Sequence, residues 1–264
     1  PAAADLDDAF PERPVWLYRI DGHAGWANSA ALRAVAATKA RPLAGDWQPD
    51  GGRIVREGDA PTGIFIDGAM ALVNAVVPAM DEAFREQALA KAFAMAVRNG
   101  LTGVHDMGVS REELALMQRF ADSGRLPLRV DAYADGDSGA LADLCAHGPY
   151  RHAGGRLEMR GVKLFMDGAL GSRGAALLED YSDDHGNRGL LVTDPAAFES
   201  AVRKAKGCNV QVATHAIGDR GNRLVLDTYQ RVLDGEKDLR WRIEHAQVVS
   251  LEDIPRLGPM GVIA

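Results

Sequence analysis

At 264 residues with 47% hydrophobic content, the chain is long enough to bury a large core, which excludes a disordered or fibrous class. Thirty-seven acidic against 30 basic residues give a net charge of −7, with no Lys/Arg run that could track a phosphate backbone, so nucleic acid is excluded as a partner. No apolar stretch reaches the roughly 18 to 20 residues that cross a bilayer, so no membrane span is expected. Cys145 and Cys208 show neither a CxxC spacing nor a paired pattern, and the sequence therefore predicts no disulfide framework and no structural zinc site. A reducing cytoplasm is the expected location. The opening PAAADLDDAF carries no charged segment followed by an apolar one, as a signal peptide would.

Residues 1–80 show no alternation of strand and helix. PVWLYRID and IVREGDAPTGIFID read as strands, with the turn-rich GDWQPDGG between them, so this part is expected to be an inserted β-rich subdomain or cap. Residues 81–264 alternate helix-like and strand-like segments, which favours a parallel sheet or barrel. In DEAFREQALAKAFAMAVRNG, Phe84, Ala88, Leu89, Ala92, Phe93 and Ala96 share one helical face and Gly100 supplies the stop. LTGVHDMG reads as a strand, and Ser110 with Glu113 forms a capping box that opens the next helix. Further strands are expected at PLRVDAYAD, GVKLFMDG, VQVATHAIG, LRWRIEHAQVV and GVIA. Asp194-Pro195 starts a helix that Gly207 ends, Gly235 ends the helix carrying Leu224 and Tyr229, and Ser250 with Asp253 caps another.

Strand alternation in GVKLFMDG puts Lys163, Phe165 and Asp167 on one face and Val162, Leu164 and Met166 on the other. If the second face meets outer helices, Lys163 points inward, where an unpaired ammonium is costly. Such a lysine loses its charge, finds an anion such as Asp167, or is modified. A neutral amine could take up carbon dioxide as a carbamate that bridges two divalent metals, or attack a carbonyl to form a Schiff base. His215 and His245 each follow an apolar run and precede a polar turn, the position of the C-terminal rim of a barrel strand. Each histidine alone is more often a hydrogen-bonded structural residue than a ligand. Three candidates on three successive strands favour a metal centre, and imidazole nitrogen with carboxylate-type oxygen suits zinc or a similar divalent ion.

His105, with Asp106, ends a strand and could line the same pocket. His23, Trp26 and Asn28 lie in a glycine-flanked turn of the first 80 residues and are candidates for a substrate-facing loop, as against an ordinary turn. Asp167 and Arg173 are further substrate-binding candidates, the latter from a long glycine-rich segment after the Lys163 strand. The alternative for Arg173 is solvation on a surface loop. His147, His152 and His185 sit in polar loop contexts and are read as surface.

The segments VKLFMDGALGSRGAALLEDYSD, ATHAIGDRGNRLVLD and RIEHAQVV resemble the amidohydrolase superfamily, in the branch related to N-substituted formamide deformylases, and RIDGHAGWANSAAL resembles that branch's inserted region. The resemblance runs over nearly the whole chain. It implies a distorted (β/α)8 TIM-type barrel with one or two divalent metals, Lys163 as a carboxylated bridging ligand formed with carbon dioxide, and His215 and His245 as ligands of one metal. The family's HxH pair on the first barrel strand and its aspartate on the eighth have no counterpart in these residues. The chain is therefore expected to be an internal piece holding the second to sixth barrel strands and the start of the seventh, and to be inactive or nearly so by itself.

The function expected of the whole is metal-assisted hydrolysis of an amide or formamide-like C–N bond in a small molecule. The alternatives are a Schiff-base lyase or aldolase that uses Lys163, and a noncatalytic piece of the fold. Open strand edges would allow pairing into a homo-oligomer.

Overall fold

The computed structural model describes residues 1–38, 42–136 and 139–264. The first part begins with a short helix α1 (Ala4–Asp7) and contains β1 (Trp16–Tyr18), β2 (Ala24–Ala27), α2 (Ser29–Ala37), β3 (Gly52–Glu57), β4 (Ala60–Asp67) and α3 (Ala71–Asn74). Its four strands form an antiparallel sheet in the order β1-β2-β4-β3. Phe65, Ile54, Val35 and Val73 close a small core of their own on one face of that sheet.

The second part follows with α4 (Glu82–Arg98), β5 (Gly103–Val109), α5 (Arg111–Asp122), β6 (Arg129–Asp135), α6 (Ala140–His147), β7 (Tyr150–Arg151) and β8 (Leu157–Phe165). It continues through α7 (Pro195–Gly207), β9 (Gln211–Ala216), α8 (Asp219–Leu233), β10 (Arg242–His245) and α9 (Ile254–Met260). The strands are parallel in the order β10-β9-β8-β6-β5, and the short β7 adds antiparallel to β8. The sheet is strongly curled. His105 on β5 and Arg242 on β10, the two edge strands, meet at 3.1 Å across the concave face, whereas a flat sheet would hold strands four spacings apart at about 19 Å. The architecture is thus a mixed α/β fold with a parallel half-barrel, short of a closed barrel among the described residues.

Local chemistry explains most boundaries. The Ser110 hydroxyl accepts from Glu113 N at 3.2 Å while the Glu113 carboxylate accepts from Ser110 N at 2.8 Å, the reciprocal pair that starts α5. Asp194 accepts from Ala196 N and Ala197 N to start α7, with Pro195 in the first position. The main core lies between the convex face of the sheet (Val130, Ala132, Met159, Val162, Val212, Ile243) and the helices. Phe120, Phe198 and Tyr229 are among the large side chains driven into it, and their burial supplies the apolar area that holds the layers together.

Four sequence expectations need correction. Phe84 is exposed and Phe93 is the buried anchor of α4, because α4 leads into an edge strand and lacks a described neighbour on its outer side. The strand expected over LRWRIEHAQVV stops at His245, where His245 and Ala246 both turn to positive φ, 75° and 41°. Only Ile263 of GVIA bridges to Arg242. Asp253 precedes α9 without capping it through its side chain, its carboxylate pairing with Arg223 and Arg256 instead.

The cysteines are also corrected. Cys145 near the end of α6 and Cys208 after α7 form a disulfide, with Cα atoms 4.8 Å apart and 63 residues of separation. A pairing between two neighbouring outer helices leaves no CxxC-type mark in the sequence, and it removes the ground on which a reducing cytoplasm was expected. Among the described residues no helix is long and apolar enough to cross a membrane.

Candidate metal and substrate site

Three adjacent parallel strands carry one candidate each: Lys163 on β8, His215 on β9 and His245 on β10. Register sets their heights. Phe165 pairs with His215, and His215 pairs with Glu244, so both histidines stand at the C-terminal end of the sheet with Lys163 one pleat below. All three line one cavity of about 570 Å³, which Glu244, Asp21 and Gln247 also border. Its apolar wall includes Phe165, Leu170 and Ile217.

His215 is the most constrained member. Its ring is buried, and Nε2 lies 3.1 Å from the Gly168 carbonyl, which can only accept. The proton therefore sits on Nε2, and Nδ1 keeps the lone pair. Burial pushes the imidazole down to about 3 against that hydrogen bond, with Lys163, His23 and His245 adding to the shift, so the ring is neutral near pH 7. The His245 ring lies 4.6 Å away centre to centre and is likewise lowered, first by burial and then by Lys163.

Lys163 is 5% exposed, with Nζ 3.6 Å from the centre of the Phe165 ring and 3.5 Å from the Leu164 carbonyl oxygen. Burial pulls the ammonium down to about 8 against the attraction of Glu244. This strand therefore presents an amine that gives up its proton more readily than an ordinary lysine. Two neutral imidazoles and such an amine suit a divalent ion in donor type. Among the described residues no three His, Cys, Asp or Glu side chains are gathered to hold a metal, so the donors here are an open set.

The other sequence candidates separate. His23 joins the cavity, carried in by the β1–β2 hairpin, with its ring 4.6 Å from that of His215. Asn28 does not: it is wholly buried, caps α2 by accepting from Ala31 N, accepts from Val15 N, and donates to the Phe10 and Arg13 carbonyls. Those four bonds use its whole hydrogen-bonding capacity to shape the β-rich part. Trp26 donates to the Ala2 carbonyl and borders a different cavity with Leu17 and Tyr18. His105 lies lower on the concave face, bonded to Arg242 and 3.4 Å from Asp131, while Met107 takes the place in the cavity wall. Arg173 turns outward into an exposed ion pair with Asp183.

Asp167 is fully buried behind the cavity. It accepts from Ala176 N, Ile217 N and Gly218 N at 2.8 to 2.9 Å, and burial raises its carboxyl to about 6 against those three bonds. Its work is to tie the segment after β8 to the end of β9. Two cavity features had no reading in the sequence. Glu244 borders the cavity next to His245, in a pair with Arg242 at 2.6 Å. Asp67 holds His23 at 2.6 Å. The adjacency of Glu244 and His245 in RIEH was a usable signal, whereas nothing local connects residues 23 and 67.

A curled parallel sheet with imidazoles and a depressed lysine at the C-terminal ends of its strands defines a mixed α/β half-barrel that gathers titratable groups at one rim. A model of the amidohydrolase family matches residues 1–264, and the chain belongs to that family. It is 35% identical to Protein LONG AFTER FAR-RED 3 of Arabidopsis thaliana over 285 residues, covering 100% of this chain and 47% of that protein. It is 27% identical to the N-substituted formamide deformylase of Arthrobacter pascens, covering 99% of this chain and 49% of the relative. Among solved structures, an uncharacterized metal-dependent hydrolase from Pyrococcus horikoshii OT3 matches with a TM-score of 0.72 at 28% identity, over 99% of this chain and 50% of that one. The chain spans about half the length of the curated relatives it matches.

Proposed function

We propose that the protein containing this chain is a metal-dependent hydrolase of small amide or formamide-like compounds, with Lys163, His215 and His245 as its contribution to the metal site. The observation that carries this reading is the meeting of these three side chains in one cavity on adjacent strand ends. Family membership and the metal-dependent hydrolase among similar structures support it. A bound divalent ion such as zinc would lower the pKa of water and polarise the scissile carbonyl.

The chain's own residues have separable tasks. His215 offers Nδ1 because Gly168 holds its other nitrogen, and burial keeps that lone pair unprotonated. His245 offers a second neutral imidazole. Lys163 adds carbon dioxide through its free amine, forming an N–C bond and releasing one proton, and the resulting carbamate supplies anionic oxygens. Phe165, Leu170 and Ile217 give the cavity an apolar side that favours an apolar substituent on the substrate.

The test uses the full-length protein. Lys163→Ala and His215→Ala should each lower metal content at least about tenfold, as expected for removal of a ligand or its anchor. Loading wild type without carbon dioxide should reproduce the Lys163→Ala result. Unchanged metal content in both variants sinks the reading. A lysine lowered to about 8 also favours imine formation, the second reading, and borohydride trapping of a carbonyl compound on Lys163 without sensitivity to chelator would select it.

A further inference from the structure

We infer that His23 is a substrate-contacting residue of this cavity, that Asp67 is its positioning residue, and that the pair reads an N–H group on the substrate. The substrate class, a small amide, rests on the hydrolase reading above.

The two residues are joined twice across 44 positions of sequence. The His23 ring bonds through Nδ1 to Asp67 Oδ1 at 2.6 Å, and the Asp67 backbone N–H donates to the His23 carbonyl at 3.2 Å. A carboxylate accepts only, so the ring proton lies on Nδ1. In the neutral ring Nε2 then carries the lone pair, and the ring borders the cavity.

Asp67 is held there at a cost. Its backbone adopts φ 48° and ψ −124°, a conformation unfavourable to a residue with a side chain. Its side chain is 3% exposed, and Oδ2 is buried without a hydrogen-bond partner among the described residues. Glycines 168 and 174 make room for it, since a Cβ at Gly168 would lie 2.3 Å from that oxygen and one at Gly174 2.7 Å. A strained backbone and a half-satisfied buried carboxylate oppose folding. Holding the His23 ring against the cavity is what this arrangement achieves.

His23 is also free for such a task. Its Nδ1 is taken by Asp67, which leaves Nε2 as the ring nitrogen available at the cavity. The cavity combines its nitrogen acceptor with the apolar surfaces of Phe165, Leu170 and Ile217. A small secondary amide with an apolar N-substituent matches both features, whereas N-methylation would remove the donor and leave the acceptor unpaired.

The probes are N-benzylformamide and N-benzyl-N-methylformamide, with the full-length protein. Two readouts are taken: the ratio of kcat/KM values in the metal-loaded protein, and the ratio of affinities for the metal-free protein by ligand-observed NMR. Wild type should prefer the N–H compound by about tenfold or more in both. His23→Ala and Asp67→Asn should compress the ratio to within about threefold without changing metal content, and His23→Gln, which keeps an acceptor, should restore part of it. If Asp67→Asn does not fold, the two His23 variants decide. A preference that survives in His23→Ala, or wild type that binds neither probe or both equally, overturns the inference. Absence of hydrolysis with a binding preference that disappears in His23→Ala would overturn the hydrolase reading and leave this one standing.

Discussion

The carboxylate of Asp167 accepts the backbone N–H of Gly218 at 2.8 Å across 51 residues of chain. Through that bond and those from Ala176 and Ile217, the segment leaving β8 is fastened to the segment leaving β9. The same fastening holds the Gly168 carbonyl against His215.

Removing the carboxylate should therefore affect both stability and the site. Asp167→Ala leaves three buried N–H groups without their acceptor, and a loss of about 3 kcal/mol or more is expected in denaturant unfolding. In full-length protein the same variant should weaken metal retention, because the His215 ring loses its fixed orientation. Wild-type stability in Asp167→Ala would mean that the loop is held by its packing alone.

The Cys145–Cys208 bridge closes a loop of 63 positions between two outer helices. Chain-entropy arguments assign such a bridge up to about 4 kcal/mol. Thiol titration of the unreduced protein should find no free thiol, and reduction, or a Cys145→Ser/Cys208→Ser double variant, should lower the unfolding midpoint. Two titratable thiols in protein prepared without reductant would show that the pair is open.

Asp253 carries the acid dependence that is easiest to assign. Burial opposes its charge, but hydrogen bonds from Arg256 and Arg223 outweigh that and hold its carboxyl below the ordinary 3.8. A depressed carboxyl stabilises the fold above its unfolded pKa, and this contribution disappears as pH falls below about 3.8 through the folded value. Asp253→Asn should cost about 2 kcal/mol near pH 7, less than a fully buried pair because both arginines are partly exposed, and little at pH 2. Parallel pH–stability curves for the two proteins would contradict this assignment.

In the polypeptide of these 264 residues, β5 bounds the six-stranded sheet with no strand partner on its outer edge among the described residues, and the outer edge of β10 is bridged by Ile263 alone. Exposed backbone donors and acceptors invite pairing with a second copy. Light scattering across a concentration series should show self-association, and a monomer throughout would mean that the edges are protected.

The sequence by itself determined the features governed by neighbours a few positions apart. The capping box of Ser110 and Glu113, the Asp194-Pro195 helix start, the parallel strand–helix rhythm after residue 81 and the strand-end positions of Lys163, His215 and His245 all follow from short periods and caps. Family motifs added the expectation of a metal-dependent barrel. Tertiary structure alone decided contacts between residues distant in sequence. It separated His23, at the cavity, from Asn28, spent on the backbone of Phe10, Arg13, Val15 and Ala31, although both belong to one motif. It sent Arg173 outward, kept His105 below the cavity, joined Cys145 to Cys208, and set Asp67 behind His23. The reason is physical: a cap or an alternating face is settled by bonds within one or two turns of chain, whereas a buried carboxylate finds its partner only after sheets and loops have packed, and no local pattern records which distant residue that packing delivers.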